Sequence, residues 1–339
     1  MTAKEELSGK TILEMVRGFQ KACVIIAGAD LDVFTLLRDK PMDVIRLAGK
    51  IRGDVRAASI LLDALAALGL LVKGPGRRPV YTVPPAAAEV LADKGARCML
   101  GMVRHQGNCL RRWEQLAGVV LSGKPAARRQ SVRGAAGDLD SFIRAMHEVS
   151  LPLTEPLIRG LGPLKFAHLL DVGGASGTWT IPFLRLNPGT RATIFDLPEV
   201  IPMARRTIKK AGLAGRVRFA AGSYNTGTMP QGADLAWVSA IVHQNSRAQN
   251  RAMFARVFAA LAPGGRIFIR DIIVDASRTR PVSGALFAVN MLVGTRGGST
   301  FTIDELREDL ASAGFVKVKS LRRGEIMDSV VCASKRGSH

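Results

Sequence analysis

The stretch Leu169-Leu170-Asp171-Val172-Gly173-Gly174-Ala175-Ser176-Gly177 constrains this chain more than any other. An apolar run over residues 166–172, broken only by His168, reads as a buried strand. Three glycines follow within five positions, and an apolar-periodic segment over 178–186 reads as a helix. Glycine is needed where a strand turns sharply into a helix and lets a ligand touch the backbone, because a Cβ would block both. The Gly-x-Gly-x-x-Gly spacing of dinucleotide sites is absent, and the spacing here is Asp-x-Gly-x-x-x-Gly. An acid at that strand end repels a pyrophosphate and welcomes a cation. The turn therefore favours a ligand with an ammonium or sulfonium group, the bland alternative being a tight turn in some other α/β protein.

A second short apolar strand, Thr193-Ile194-Phe195-Asp196-Leu197-Pro198, also ends in an acid, about twenty residues past the glycine turn. In doubly wound folds that position reaches the ribose hydroxyls of an adenosine, since one carboxylate can accept from both. Two acids at the ends of consecutive strands, with a glycine turn between them, suit S-adenosylmethionine.

At 339 residues the chain is long enough for about two domains, and 47% hydrophobic with 22% charged residues describes a globular protein with a large core. No apolar run approaches the roughly 18 residues that a membrane span requires. Met1-Thr2-Ala3-Lys4-Glu5-Glu6 lacks the basic-then-apolar layout of a secretory signal. Cys23, Cys98, Cys109 and Cys332 are scattered with no Cys-x-x-Cys pair, which indicates neither zinc nor a disulfide framework and fits a reducing cytoplasm. The net charge of +20 raises nucleic acid as a partner. Yet the basic residues come as short pairs such as Arg205-Arg206 and Lys209-Lys210, and 5% aromatics leave little for base stacking. A solvated basic surface that favours acidic small molecules is the preferred reading.

Helical patterns cover residues 12–27, 31–37, 41–48 and 54–68, the last with Asp54 as N-cap, and a hairpin follows over 69–83. Helices followed by a hairpin spell a winged helix. The Ala-rich body of the 54–68 helix offers few side chains that could read bases, so contact with protein is preferred to contact with DNA. Residues 86–121 read as helical, 122–138 as a Gly/Ala/Arg-rich loop, and 140–157 as another helix. Strands and helices then alternate, with strands at 217–220, 235–242 and 266–273 and helices at 250–261 and 303–313. The closing strands, 316–320 and 329–333, have no helix between them, which predicts a mostly parallel sheet with an antiparallel edge strand. Residues 336–339 read as an appended tail.

With Ile241-Val242-His243, Leu261-Ala262-Pro263-Gly264-Gly265 and Ala313-Gly314-Phe315 added, the chain resembles the O-methyltransferases of plants and bacteria that include caffeate and acetylserotonin methyltransferases. The resemblance covers nearly the whole length. It implies an α/β fold, with a Rossmann-like class I methyltransferase sheet behind an N-terminal α-helical winged-helix domain. It also implies a dimerisation domain over 1–100, a helical connector lining the substrate pocket over 101–160, and a catalytic domain over 161–335. The implied activity is methyl transfer from S-adenosylmethionine, by a homodimer without metal, to a heteroatom of a small molecule, a hydroxyl oxygen being favoured.

By the same resemblance Asp171, Gly173, Gly174 and Gly177 cradle the methionine part of the cofactor. Asp196 and Leu197 meet the ribose, Ser223 and Tyr224 the adenine, and Ser239 completes the cofactor site. Met146, His147, Asn290, Met291 and Arg296 line the substrate pocket, and His243 is the general base with Asp271 orienting it. The chain departs from the family pattern in three places. Gly222-Ser223 replaces Gly-Asp, His243-Gln244-Asn245 replaces His-Asp-Trp, and a second orienting acid falls on Thr300.

A histidine supported by one acid is a weakened base, which opens a second route. A thioether sulfur needs alignment and exclusion of water but no deprotonation. Arg144, Arg270 and Arg296 could then hold the carboxylate of a substrate such as 4-methylthio-2-hydroxybutyrate. A nucleic-acid methyltransferase and an S-adenosylmethionine-binding protein without methyl transfer are the further alternatives.

Overall fold

The structure, a computed structural model, describes residues 7–337. The N-terminal stretch read for a signal, residues 1–6, and the last two residues of the tail lie outside them. The chain divides into two compact units. One comprises the chain up to Arg111 together with Arg128–Val149, the other Arg112–Ala127 and everything from Ser150 onward. Residues 101–160 are thus shared between the two.

The first unit opens with α1 (Gly9–Asp30), α2 (Val33–Asp39), β1 (Met42–Asp43), α3 (Val44–Ile51) and α4 (Val55–Ala67). Asp43 and Asp54 cap α3 and α4, their carboxylates accepting from Arg46 N at 2.9 Å and Ala57 N at 2.8 Å. The wing follows as β2 (Val72–Lys73) and β3 (Val80–Thr82), which pair with β1 in the antiparallel order β1-β3-β2. Phe34, Leu37, Leu47, Leu62, Leu65 and Tyr81 fill the core beneath.

Where one helix is expected over 86–121 there are three: α5 (Pro85–Leu91), α6 (Leu100–Trp113) and α7 (Leu116–Ser122). Lys94 has a positive φ, and a Cβ on Gly95 would stand 2.2 Å from Glu89 O. The missing Cβ lets the chain fold back, Arg97 N donating to Glu89 O and Met99 N to Val90 O, before α6 begins. α8 (Gly134–Gly160) starts earlier than periodicity suggests and runs through Pro152 and Pro156.

The second unit contains β4 (His168–Val172), α9 (Thr180–Leu186), β5 (Arg191–Asp196), α10 (Ile201–Lys210), β6 (Val217–Ala221), β7 (Ala233–Ser239), α11 (Arg247–Ala260) and β8 (Leu261–Asp271). β9 (Ile273–Val274), α12 (Val282–Gly294), β10 (Phe301–Thr302), α13 (Ile303–Ser312), β11 (Val316–Arg322) and β12 (Ser329–Ser334) complete it. Seven strands form one sheet in the order β11-β12-β8-β7-β4-β5-β6. Its central strands are apolar in near-continuous runs because both faces are covered. Val172, Val238, Ile269, Phe254 and Leu310 belong to the core on one face, and Leu169, Trp237, Phe268, Phe183 and Ile208 to that on the other.

One expectation needs correction: the antiparallel strand is not at the edge. β12 lies one place in, antiparallel to both β8 and β11, so the edge strand β11 runs with the parallel set. The crossover through α13 sets β11 down one strand-width from β8, and the hairpin returns β12 into that gap. The side chains match these places, since β12 buries Val330 and Val331 whereas β11 carries Lys317, Lys319 and Arg322 at the edge.

α13 is bound to α11 by charge. Fully buried Asp309 pairs with Arg247 at 2.8 Å and Arg251 at 2.6 Å. Replacing Asp309 by Ala leaves two guanidinium groups without their shared acceptor. The expected loss is about 3 kcal/mol of unfolding free energy, read as a lower denaturant midpoint at unchanged slope.

Candidate active site

The glycine turn is built by close approach. Gly173 N donates to Phe195 O at 2.7 Å, fastening the turn to β5, and its φ of +63° is open to glycine at little cost. A Cβ there would stand 2.5 Å from Ile241 Cδ1 and 3.7 Å from the Tyr224 ring, and one on Gly174 would meet the Asp171 carboxyl at 2.8 Å. Asp171 is wholly buried and accepts from Thr180 Oγ1 at 2.5 Å. Burial pushes its carboxyl up to about 7, against the Thr180 hydrogen bond, and the Asp196 charge adds to the rise.

Asp196 accepts from Ala175 N at 2.8 Å and Leu197 N at 2.7 Å, which leaves its carboxylate with capacity for further donors. Burial raises its pKa, and burial with the Asp196 charge raises that of Tyr224. Ser223 Oγ accepts from Asn225 N at 3.2 Å and so shapes the turn after β6, while Leu197 is exposed. Asp171, Gly173, Gly174, Gly177, Asp196, Leu197, Ser223 and Tyr224 thus all lie at or just beyond the ends of β4, β5 and β6.

β7 ends at a kink. Ala240 has φ +58°, in the left-handed region, and its N–H donates to Arg270 O at 2.8 Å. The chain then leaves the sheet as a single 3₁₀ turn, Val242–Gln244. This turn sets His243 Nδ1 2.8 Å from Asp271 Oδ1, with His243 N 3.3 Å from Asp271 Oδ2. Both side chains are buried, and Phe287 of α12 stands edge-on to the imidazole at 4.9 Å. With Asp271 accepting at Nδ1, the neutral tautomer leaves a lone pair on Nε2, an assignment made from the hydrogen bond.

The departures from the family pattern have structural uses. Asn245 Nδ2 donates to Asn250 Oδ1 at 3.1 Å, and Asn250 Nδ2 to Val242 O at 3.0 Å, bracketing the turn from beneath. Gln244 folds back onto Ala240 O. Thr300 is buried with its carbonyl held by Arg278, and the adjacent Ser299 N donates to His243 O at 2.9 Å. This segment therefore supports the histidine through its backbone rather than its ring.

Among the residues expected at the substrate, Asn290 Oδ1 accepts from Trp113 Nε1 at 3.0 Å, Met291 is buried on α12, and Arg296 is exposed. Met146 and His147 are half-buried on the part of α8 that belongs to the first unit. The reading of three arginines as a carboxylate clamp loses two of them. Arg144 is committed to Asp93 at 2.9 Å and Asp140 at 3.5 Å, and Arg296 has no burial to strengthen an ion pair. Arg270 is buried, its guanidinium 4.4 Å from the Trp179 ring centroid and Nη1 donating to Ser239 Oγ at 3.0 Å. Sequence reasoning missed Thr180, Trp179, Ala240, Phe287 and Trp113, whose roles depend on contacts across the fold.

The sheet order and this site define an S-adenosylmethionine-dependent methyltransferase of the class I topology. The O-methyltransferase domain family matches residues 113–316, and the O-methyltransferase dimerisation domain matches residues 13–93. The chain is 31% identical, over 91% of its length and 92% of the relative's, to the tetracenomycin polyketide synthesis 8-O-methyl transferase of Streptomyces glaucescens. It is 28% identical, over 92% and 90%, to the 3-hydroxy-5-methyl-1-naphthoate 3-O-methyltransferase of Streptomyces sahachiroi. The crystal structure of human N-acetylserotonin methyltransferase with its S-adenosylmethionine shares the fold over 100% of both chains, at a TM-score of 0.81 and 24% identity. The chain belongs to the S-adenosylmethionine-dependent O-methyltransferase family. No helix among the described residues is long and apolar enough to cross a membrane, and none of their His, Cys, Asp and Glu side chains group to hold a metal.

The raised pKa of Asp171 has a defined sign. Its folded value, about 7, lies above the unfolded value, so the folded state keeps a proton that the unfolded chain has lost. Its contribution to stability is full below about pH 4 and disappears as pH rises through about 7. In the ligand-free protein Asp171→Asn is therefore expected to gain on wild type by about 1–4 kcal/mol between pH 5 and pH 8, measured by urea unfolding at both.

Proposed function

We propose that this protein methylates a phenolic hydroxyl of an aromatic small molecule, with His243 as the base and Asp271 as its orienting partner. The 2.8 Å bond from His243 Nδ1 to Asp271 carries the reading, because it leaves Nε2 as the proton acceptor. The two Streptomyces relatives support the acceptor class, one by its name serving polyketide synthesis and the other methylating a hydroxynaphthoate.

The cradle fits the cofactor. Close packing at Gly173 and Gly174 leaves no room for a Cβ, so the turn keeps its backbone bare beside Asp171, whose burial-raised pKa a cationic group would relieve, and Asp196, which has acceptor capacity for hydroxyls. Asp171, Gly173, Gly174 and Gly177 would hold the amino-acid part of S-adenosylmethionine. Asp196 and Leu197 would hold the ribose, Ser223 and Tyr224 the adenine, and Ser239 the remaining edge. When bound, the cofactor supplies a methyl group made electrophilic by its sulfonium. His243 Nε2 takes the hydroxyl proton as the oxygen attacks, and Asp271 stabilises the imidazolium that forms. Phe287 shields the ring from water, and Asn290, Met291 and Arg296 contact the acceptor.

The working form is a homodimer. The dimerisation domain match and the exposed Ile12, Leu13, Met15, Val16 and Phe19 along α1 support it, as an apolar face of this kind asks for cover. Four free cysteines fit residence in a reducing cytoplasm.

Labelled methyl transfer to hydroxylated naphthalenes and related phenols tests the mechanism. His243→Ala and Asp271→Asn should each lower kcat by about 10²- to 10⁴-fold, with the affinity for S-adenosylhomocysteine within twofold of wild type. Label entering a thioether carboxylate at full rate in His243→Ala would instead overturn oxygen as the acceptor.

A further inference from the structure

We propose that Arg270 anchors the carboxylate at the amino-acid end of the cofactor, with Ser239 aligning its guanidinium. The inference rests on the reading of the glycine turn as the cofactor cradle. A buried guanidinium is retained at a cost unless an anion meets it. Arg270 is 3% exposed and forms no ion pair among the described residues. Its Nη1 donates to Ser239 Oγ, and its Nε has no partner. Two carboxylates exert a field on it from a distance, and both are engaged elsewhere: Asp271 with His243, Asp328 with Arg322. Burial presses its pKa down to about 10, which still leaves a cation at neutral pH.

Position selects which anion this cation awaits. Ser239 and Arg270 are register partners on β7 and β8, and β7 pairs directly with β4, whose end carries the glycine turn. Trp179, the ring that holds the guanidinium, lies two residues beyond Gly177. That ring also packs on Trp237, whose buried indole N–H is likewise without a partner, so this corner is rich in donors and poor in acceptors. In the cradle reading Asp171 suits the ammonium of S-adenosylmethionine and Asp196 the ribose hydroxyls. The cofactor's carboxylate needs a cation at the same turn, and Arg270 supplies one.

The test compares two ligands in the full-length protein by titration calorimetry. S-adenosylhomocysteine carries the amino-acid end, and 5′-methylthioadenosine keeps the nucleoside and sulfur but lacks it. Arg270→Met should weaken S-adenosylhomocysteine about 10- to 100-fold and leave methylthioadenosine within twofold. Arg270→Lys should recover part of the loss. Ser239→Ala, a smaller change that spares the buried charge, should weaken S-adenosylhomocysteine alone by a few fold, and carries the test if Arg270→Met fails to fold. Equal weakening of both ligands would show a structural role and overturn the proposal. Unchanged S-adenosylhomocysteine binding would also overturn it, leaving the guanidinium to a carboxylate of the acceptor. Wild-type protein that binds neither ligand would overturn the cradle reading itself.

Discussion

The hydrogen bond from Ala240 N to Arg270 O is the last rung that β7 shares with β8, and the arrangement of the site depends on what happens beside it. Ala240 turns into the left-handed region, a conformation that costs an alanine about 1–2 kcal/mol and persists only where the surroundings enforce it. From this kink Ile241 drops onto Gly173 and His243 swings to Asp271. The closure of the glycine turn and the His243–Asp271 pair are therefore set by one backbone event. Without the missing Cβ of Gly173, Ile241 could not close the turn. Without the kink, His243 would continue along the strand.

The site also holds charges in tension. Asp171 and Asp196 are carboxyl groups that burial would rather keep neutral, and Arg270 is a guanidinium that burial would rather discharge. Each group alone is a cost to the folded chain. They stand near the ends of β4, β5 and β8 in one sheet, so that the fold keeps buried groups of both signs at the same edge.

What the sequence disclosed was mostly local. The strand, the glycines and the acids at 171 and 196 are legible because turn chemistry is written in consecutive residues, as is the cap at Asp54, whereas the cap at Asp43 is hidden inside the helix expected over 41–48. α12 is not legible as a helix, because an apolar residue faces every side of Val282–Gly294 and no 3.6-residue rhythm stands out. The place of β12 is hidden too, since a hairpin signal gives pairing but not which strand lies outermost. Arg270 and Asp271 show a finer limit. They are neighbours in sequence, yet alternation along a strand sends one to Trp179 and the other to His243. Gln244, Asn245 and Thr300 look like losses when compared with a motif. In the fold Asn245 and the Thr300 segment hold the histidine turn by its backbone, a task that a motif of side chains does not record.

The insertion of β12 between β8 and β11 bears on how the protein is made. A ribosome delivers every other strand of the sheet first, so until the last one arrives β8 and β11 lack the neighbour they share, and the hydrogen-bonding edge that each turns to it is unmet. Only when Ser329–Ser334 emerges can the ladder close from both sides at once. Until then the half-built sheet presents apolar surface and open edges together, the combination that invites wrong pairing and engages chaperones.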